Sequence, residues 1–181
     1  MEPRDELFQI LREHSLLRGR FVLASGKESD YYFDCKLTTL GNPRGLSLAC
    51  RILRERIHAM DTPVDAIGGP TMGAAPLVIG VSLLAQLDGQ HLPGFIVRKD
   101  PKPHGRQLLI EGSVKPGTNV VILEDVVTTG SSVLKAVKEA EAAGARVVKV
   151  LALIDREEGA DAALRNYGFE RIFSFGEFLE G

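Results

Sequence analysis

The sequence has no excess of either charge: 22 Lys and Arg against 24 Asp and Glu give a formal net charge of -2. Nothing global marks a nucleic-acid binder, so no nucleic-acid partner is expected and any anion site must be assembled locally. Only two cysteines occur, Cys35 and Cys50. They form no disulfide framework, and reduced thiols in a cytoplasmic protein are the expectation. The longest apolar stretches reach about half a membrane span. The charged start Met-Glu-Pro-Arg-Asp-Glu leads into no apolar run, so neither a transmembrane helix nor a signal peptide is expected. Internal repeats, low-complexity tracts, a P-loop pattern and a dinucleotide fingerprint are all missing. What remains is a chain of 181 residues, 44% of them hydrophobic, enough for the core of one domain spanning residues 1–181.

Hydrophobic spacing predicts a helix over 3–17 through Leu7, Ile10, Leu11 and Leu17. Short strands are expected at 21–23 and 31–34, around a polar turn at 24–30. Asn42-Pro43 opens a second helix carrying Leu46, Ala49, Ile52, Leu53 and Ile57. Beyond it strands and helices alternate. Strands are predicted at 64–67, 94–97, 108–110, 119–123, 146–155 and 171–175, with helices at 73–87, 131–143 and 159–167. That alternation predicts an α/β fold on a central, mostly parallel sheet flanked by helices. The run Val120–Leu123 suits a strand buried on both faces. The first forty or so residues are expected to form a small hood, with the C-terminal strand contributing to it.

The most informative segment runs Val120-Val121-Ile122-Leu123-Glu124-Asp125-Val126-Val127-Thr128-Thr129-Gly130-Ser131-Ser132. An apolar strand ends in two carboxylates, and a hydroxyl-rich loop with one glycine then feeds a helix. Ligands of open α/β sheets bind at the carboxyl ends of strands. A helix N-terminus presents unpaired N–H groups to phosphate. No acidic residue stands between Val133 and Lys138, so nothing in the first turns repels an anion. Carboxylates accept hydrogen bonds from sugar hydroxyls or bind Mg²⁺ through water. Phosphate cradle and carboxylates together describe a ribose 5-phosphate site. The bland alternative is a strand-to-helix turn whose Thr and Ser only cap the helix.

This layout resembles the signature of the type I phosphoribosyltransferases. The resemblance implies that fold, the substrate 5-phosphoribosyl-1-diphosphate (PRPP) and Mg²⁺ as cofactor. It also implies a PRPP site from Glu124, Asp125, Val126, Val127, Thr128, Thr129, Gly130, Ser131 and Ser132, with Asp125 among the catalytic groups and a possible link to the metal.

Further segments resemble the orotate phosphoribosyltransferases in particular. Leu23-Ala24-Ser25-Gly26-Lys27, followed by Tyr31-Tyr32-Phe33, is similar to their base-covering turn. Ala24 stands where many carry a lysine, and Lys27 is a candidate substitute. Arg98-Lys99-Asp100-Pro101-Lys102-Pro103-His104-Gly105-Arg106 is the densest basic cluster, with four Arg or Lys and one His. A charge run is usually a solvated loop, but this one matches the family's catalytic loop. By resemblance Arg98, Lys99, Lys102 and His104 contact the diphosphate, Lys102 and His104 act in catalysis, and a homodimer shares the loop between subunits. Arg156 resembles the arginine that meets orotate together with Thr128. The stretch Gly68–Pro76 resembles the diphosphate loop, with Met72 where several members carry lysine. The implied activity is phosphoribosyl transfer from PRPP to orotate, giving orotidine 5′-monophosphate for pyrimidine biosynthesis. The rivals are the same fold acting on another base, a regulatory nucleic-acid binder, and an α/β domain without a ligand.

Overall fold

The computed structural model describes residues 1–22, 26, 28–100 and 109–179. Helix α1 (Pro3–His14) buries Leu7 and Leu11 and stops at Ser15. It is shorter than its periodicity predicts, because Leu16 and Leu17 enter a strand instead. That strand, β1 (Leu16–Val22), pairs antiparallel with β2 (Glu28–Phe33) as a two-stranded sheet. A short α2 (Lys36–Thr39), with no apolar period of its own, leads to α3 (Pro43–His58). The side chain of Asn42 accepts from the Gly45 N–H at 2.9 Å, the N-cap expected before Pro43.

The main sheet is built from β3 (Ala66–Pro70), β4 (Gly94–Val97), β5 (Ile110–Gly112), β6 (Asn119–Val127), β7 (Arg146–Asp155) and β8 (Glu170–Ser174). Their spatial order is β5-β4-β3-β6-β7-β8. Only the β4–β5 pair is antiparallel. Four further helices lie among the described residues: α4 (Ala74–Leu87), α5 (Ser131–Ala142), α6 (Ala160–Leu164) and α7 (Phe175–Leu179). A single 3-10 turn, Arg165–Tyr167, finishes the span expected to be one helix.

Strand alternation sorts the core into two layers. Val121, Leu123, Leu151 and Leu153 pack with Leu48, Leu53 and Leu77 from α3 and α4 on one face. Val120, Ile122, Val150 and Ala152 pack with Val133, Ala136 and Val137 of α5 on the other. Both faces are covered, so the continuous apolar runs have no solvent side. Strand β6 runs four residues beyond Leu123, because Glu124–Val127 stay in register with Ala152–Asp155 of β7. Ring contacts join the hood to the C-terminus: Phe33 of β2 meets Phe178 of α7 at 5.1 Å, and Phe8 stacks on Phe178 at 4.6 Å. No helix among the described residues is long and apolar enough to cross a membrane.

Candidate active site

The parallel strands β3, β4 and β6 release their chains at one edge of the sheet. Pro70 and Val97 end β3 and β4 in register. A cavity of about 390 Å³ opens there, lined by Thr71, Arg98, Lys99, Ser131, Ser132 and Lys135. It lies where topology places ligands in such sheets.

Glu124 and Asp125 sit within β6, only 5% and 8% exposed. Glu124 Oε1 accepts from the Asp125 N–H at 3.2 Å, and Oε2 accepts from the Ser132 hydroxyl at 3.1 Å. Asp125 Oδ1 accepts from the Val126 N–H at 2.8 Å. Burial pushes the Glu124 carboxyl well above the usual range, and the neighbouring Asp125 charge raises it further. Burial also raises Asp125, though the hydrogen bond from Glu124 and the Lys36 ammonium oppose the rise. Two buried carboxyls held this way are hard oxygen donors waiting for hydroxyls or a cation. Among the described residues no group of three or more His, Cys, Asp or Glu could hold a metal ion. A cation here would have to take most of its oxygens from substrate and water, which is how Mg²⁺ usually binds.

Gly130 turns the chain into α5 with φ of 83°. The Leu164 side chain lies 3.3 Å from where a Cβ would be, so both conformation and space select glycine. Among the described residues no side chain caps α5, and its first turn holds no acid. The capping alternative is thus removed: Thr129 Oγ1 turns to the Ser131 hydroxyl at 3.3 Å, and Ser132 turns to Glu124. The first-turn N–H groups and the positive dipole end are left for an anion.

The end of β7 stands beside this loop. Val127 pairs with Asp155, and the Arg156 N–H donates to the Val127 carbonyl at 2.9 Å. Arg156 therefore leaves its strand next to where Thr128 leaves β6. Its guanidinium lies 5.2 Å from the Phe175 ring centroid, and its side chain is 13% exposed. Nε is within ion-pair range of Glu158 Oε1 at 3.1 Å, yet is out of line for a hydrogen bond and buried without one.

Arg98 is held at the root of the basic loop. Its Nη1 pairs with Glu111 at 3.2 Å, and its Nε donates to the Asp100 carbonyl at 3.3 Å. The Lys99 carbonyl accepts from the Lys135 ammonium. Lys102 and His104 lie outside the described residues, as do Ala24, Ser25 and Lys27. Three features had no signal in spacing or composition. Gly73 abuts Asp125, and a Cβ there would fall 2.0 Å from Oδ1. Phe175 backs Arg156. Lys36 reaches the electrostatic field of Asp125 from the hood.

The family model of the phosphoribosyl transferase domain matches residues 39–175. An orotate phosphoribosyltransferase of Rhodopseudomonas palustris (strain BisB5) is 43% identical over 182 residues, covering 97% of this chain and 96% of the relative. Two solved structures of Mycobacterium tuberculosis H37Rv orotate phosphoribosyltransferase are also similar. One, in complex with Fe(III) dicitrate, is 36% identical with a TM-score of 0.84, over 98% of this chain and 99% of that one. The other, in complex with PRPP, is 32% identical with a TM-score of 0.80 over the same shares.

Proposed function

Since this chain belongs to the phosphoribosyltransferase family, and within it to the orotate phosphoribosyltransferases, we propose that it transfers the 5-phosphoribosyl group of PRPP to orotate. The products are orotidine 5′-monophosphate and diphosphate, a step of pyrimidine biosynthesis. The observation that carries this reading is the uncapped start of α5 beside the buried pair Glu124–Asp125.

In the reaction N1 of orotate attacks C1 of the ribose as the bond to diphosphate breaks, through a cation-like sugar, and the N1 proton passes to the departing diphosphate. Val126–Ser132 hold the 5-phosphate with backbone N–H groups and hydroxyls. Asp125 and Glu124 hold the ribose hydroxyls and offset positive charge on the ring. Arg98, Lys99, Lys102 and His104 meet the diphosphate, and Lys102 and His104 assist its departure. Thr128 and Arg156 hold orotate. The guanidinium of Arg156, with the Phe175 ring behind it, suits a planar, directional contact with a carboxylate. Asp125 would be the residue to hold a Mg²⁺ ion brought in with PRPP, and that ion would supply charge neutralisation for the leaving diphosphate. The hood β1–β2 and the chain end near Phe175 cover the base.

The enzyme works as a homodimer in which the basic loop of each subunit serves its partner's site. The face of α4 fits the second copy: Ile79, Leu83 and Leu87 are 65%, 58% and 71% exposed, and the helix bears no charged residue. A helix apolar all round is one that is covered. Two free cysteines suit a cytoplasmic enzyme.

The deciding assay follows diphosphate release with Mg²⁺, PRPP and one base at a time. Release with orotate alone is the expected result. Release with hypoxanthine or uracil instead would refute the choice of base, and none with any base would refute the activity.

A further inference from the structure

Among the described residues, Glu157 is the one residue other than glycine with a positive φ, at 60°. A left-handed backbone strains a residue that carries a Cβ, and such strain gathers at functional sites. The turn is held firmly. Asp155 is fully buried, and its Oδ1 accepts from the Glu157 N–H at 2.8 Å, an Asx-turn that spans Arg156. Its Oδ2 lies 3.3 Å from Nη1 of Arg171 on β8. The Arg156 N–H is itself bonded to the Val127 carbonyl. The backbone on both sides of Arg156 is thus fixed, but none of these bonds fixes its long side chain.

We propose that Glu157 is the positioning residue that sets the Phe175 ring behind the Arg156 guanidinium. The guanidinium lies 5.2 Å from that ring's centroid, with Nε 3.1 Å from Glu158 Oε1. Phe175 also meets Phe33 of β2 edge-on at 5.9 Å, so the ring stands where hood and chain end join. Oε2 of Glu157 accepts from the Gly176 N–H at 3.2 Å. Gly176 is the second residue of α7, and the first N–H groups of a helix have no acceptor within it. Glu157 supplies that acceptor from the same turn that carries Arg156. Glycine suits the approach, since a Cβ at Gly176 would lie 3.2 Å from Oε2. Glu177 steadies the start of α7 as well: Oε1 accepts from the Ser174 N–H at 2.7 Å, and Oε2 accepts from Arg4 at 2.6 Å. Ring and guanidinium are therefore tied to one bracket, although they come from segments about twenty residues apart. This assignment rests on the reading above, in which Arg156 meets orotate, and extends that subsite to a residue that touches no substrate.

The test compares wild type with Glu157→Ala, Glu157→Gly and Glu157→Gln. It uses steady-state kinetics for both substrates, amide hydrogen exchange over 174–179, and thermal melting. Glu157→Ala and Glu157→Gly are each expected to raise the KM for orotate about 3- to 10-fold, the scale of one exposed hydrogen bond. The kcat and the KM for PRPP should move less than about twofold. Glu157→Gln should stay near wild type, because its amide oxygen accepts the same N–H. Glu157→Gly should melt no lower than Glu157→Ala, since glycine adopts this turn freely, which separates the KM change from stability. Exchange at Gly176 needs no substrate and should quicken in the Ala and Gly variants alone. In a Phe175→Ala background, Glu157→Ala should raise the orotate KM by less than about twofold more, because both act through one ring. An unchanged orotate KM in the Ala and Gly variants would overturn the assignment. So would full additivity with Phe175→Ala. A Glu157→Gln as impaired as Glu157→Ala would do the same, by making charge and not the bond the cause. Diphosphate release by wild type with another base would refute only the choice of orotate, and the same comparison with that base would then decide the role of Glu157. No release with any base would refute the activity, and unchanged exchange at Gly176 would refute the bracket whatever the activity.

Discussion

Glu124 and Asp125 place two acids inside the sheet edge, at a cost to the unliganded protein. Both carboxyls are raised by burial, so the folded chain binds more protons than the unfolded one. Its stability from this pair is fully present below about pH 4 and is lost as pH rises toward the folded-state values. Glu124→Gln removes that penalty. Its Tm at neutral pH should exceed wild type by about 2–4 °C, for a gain near 1 kcal/mol, while turnover falls at least about tenfold through loss of the ring-stabilising charge. A lower Tm with intact turnover would contradict both parts. The cysteines lie at the other extreme of reactivity. Burial pushes the Cys50 thiol up to about 12 and Cys35 well above its ordinary value. Thiol reagents should therefore label neither in the native protein at neutral pH, and both after unfolding; native labelling within minutes would count against this burial.

The strand β6, its loop and α5 form the element proposed to join phosphate to ribose. Two glycines set its geometry from different sides. At Gly130 a φ of 83° strains any side chain, and a Cβ would press on the Leu164 side chain at 3.3 Å. Gly130→Ala should cost about 1–3 kcal/mol of stability and weaken PRPP binding, as read by denaturant melts and substrate titration. At Gly73 the obstacle is Asp125 itself. Gly73→Ala should displace that carboxylate, so kcat drops more than about tenfold while orotate binding is kept. Equal effects on orotate binding would point to general loosening of the hood instead.

At the scale of the whole molecule, the apolar α4 face and the basic loop proposed to be shared between subunits make one joint prediction. Leu83→Glu should shift sedimentation toward the monomer and remove most activity together. Neither Lys102→Ala nor Asp125→Asn should be active alone. Random mixing of the two should restore about a quarter of wild-type activity, because half of the dimers then contain one intact composite site. No restoration in demonstrably mixed dimers would mean that each loop serves its own subunit.

Much of this was legible in the chain itself, because it depends on local pattern. The run Val120–Leu123 announced a strand covered on both faces, and the following carboxylates, hydroxyls and glycine announced the turn into α5 that the structure sets beside two buried acids. The positions of β4 and β7, fixed by β-branched and aromatic runs between turn residues, agree with the structure to the residue. The helix expected over 3–17 ran too far, because Leu16 and Leu17 fit a helical period equally well and only pairing with β2 decides between them. Spacing likewise gave no sign of α2 or α7, each too short for a period to show. Tertiary structure alone brought Gly73 against Asp125, Phe175 behind Arg156 and Lys36 into the field of the acids. These contacts join residues far apart in the sequence, and no local pattern records which chain ends a parallel sheet will gather at one edge. The sequence by itself determined the chemistry of the cradle, while the fold decided which distant charges surround it.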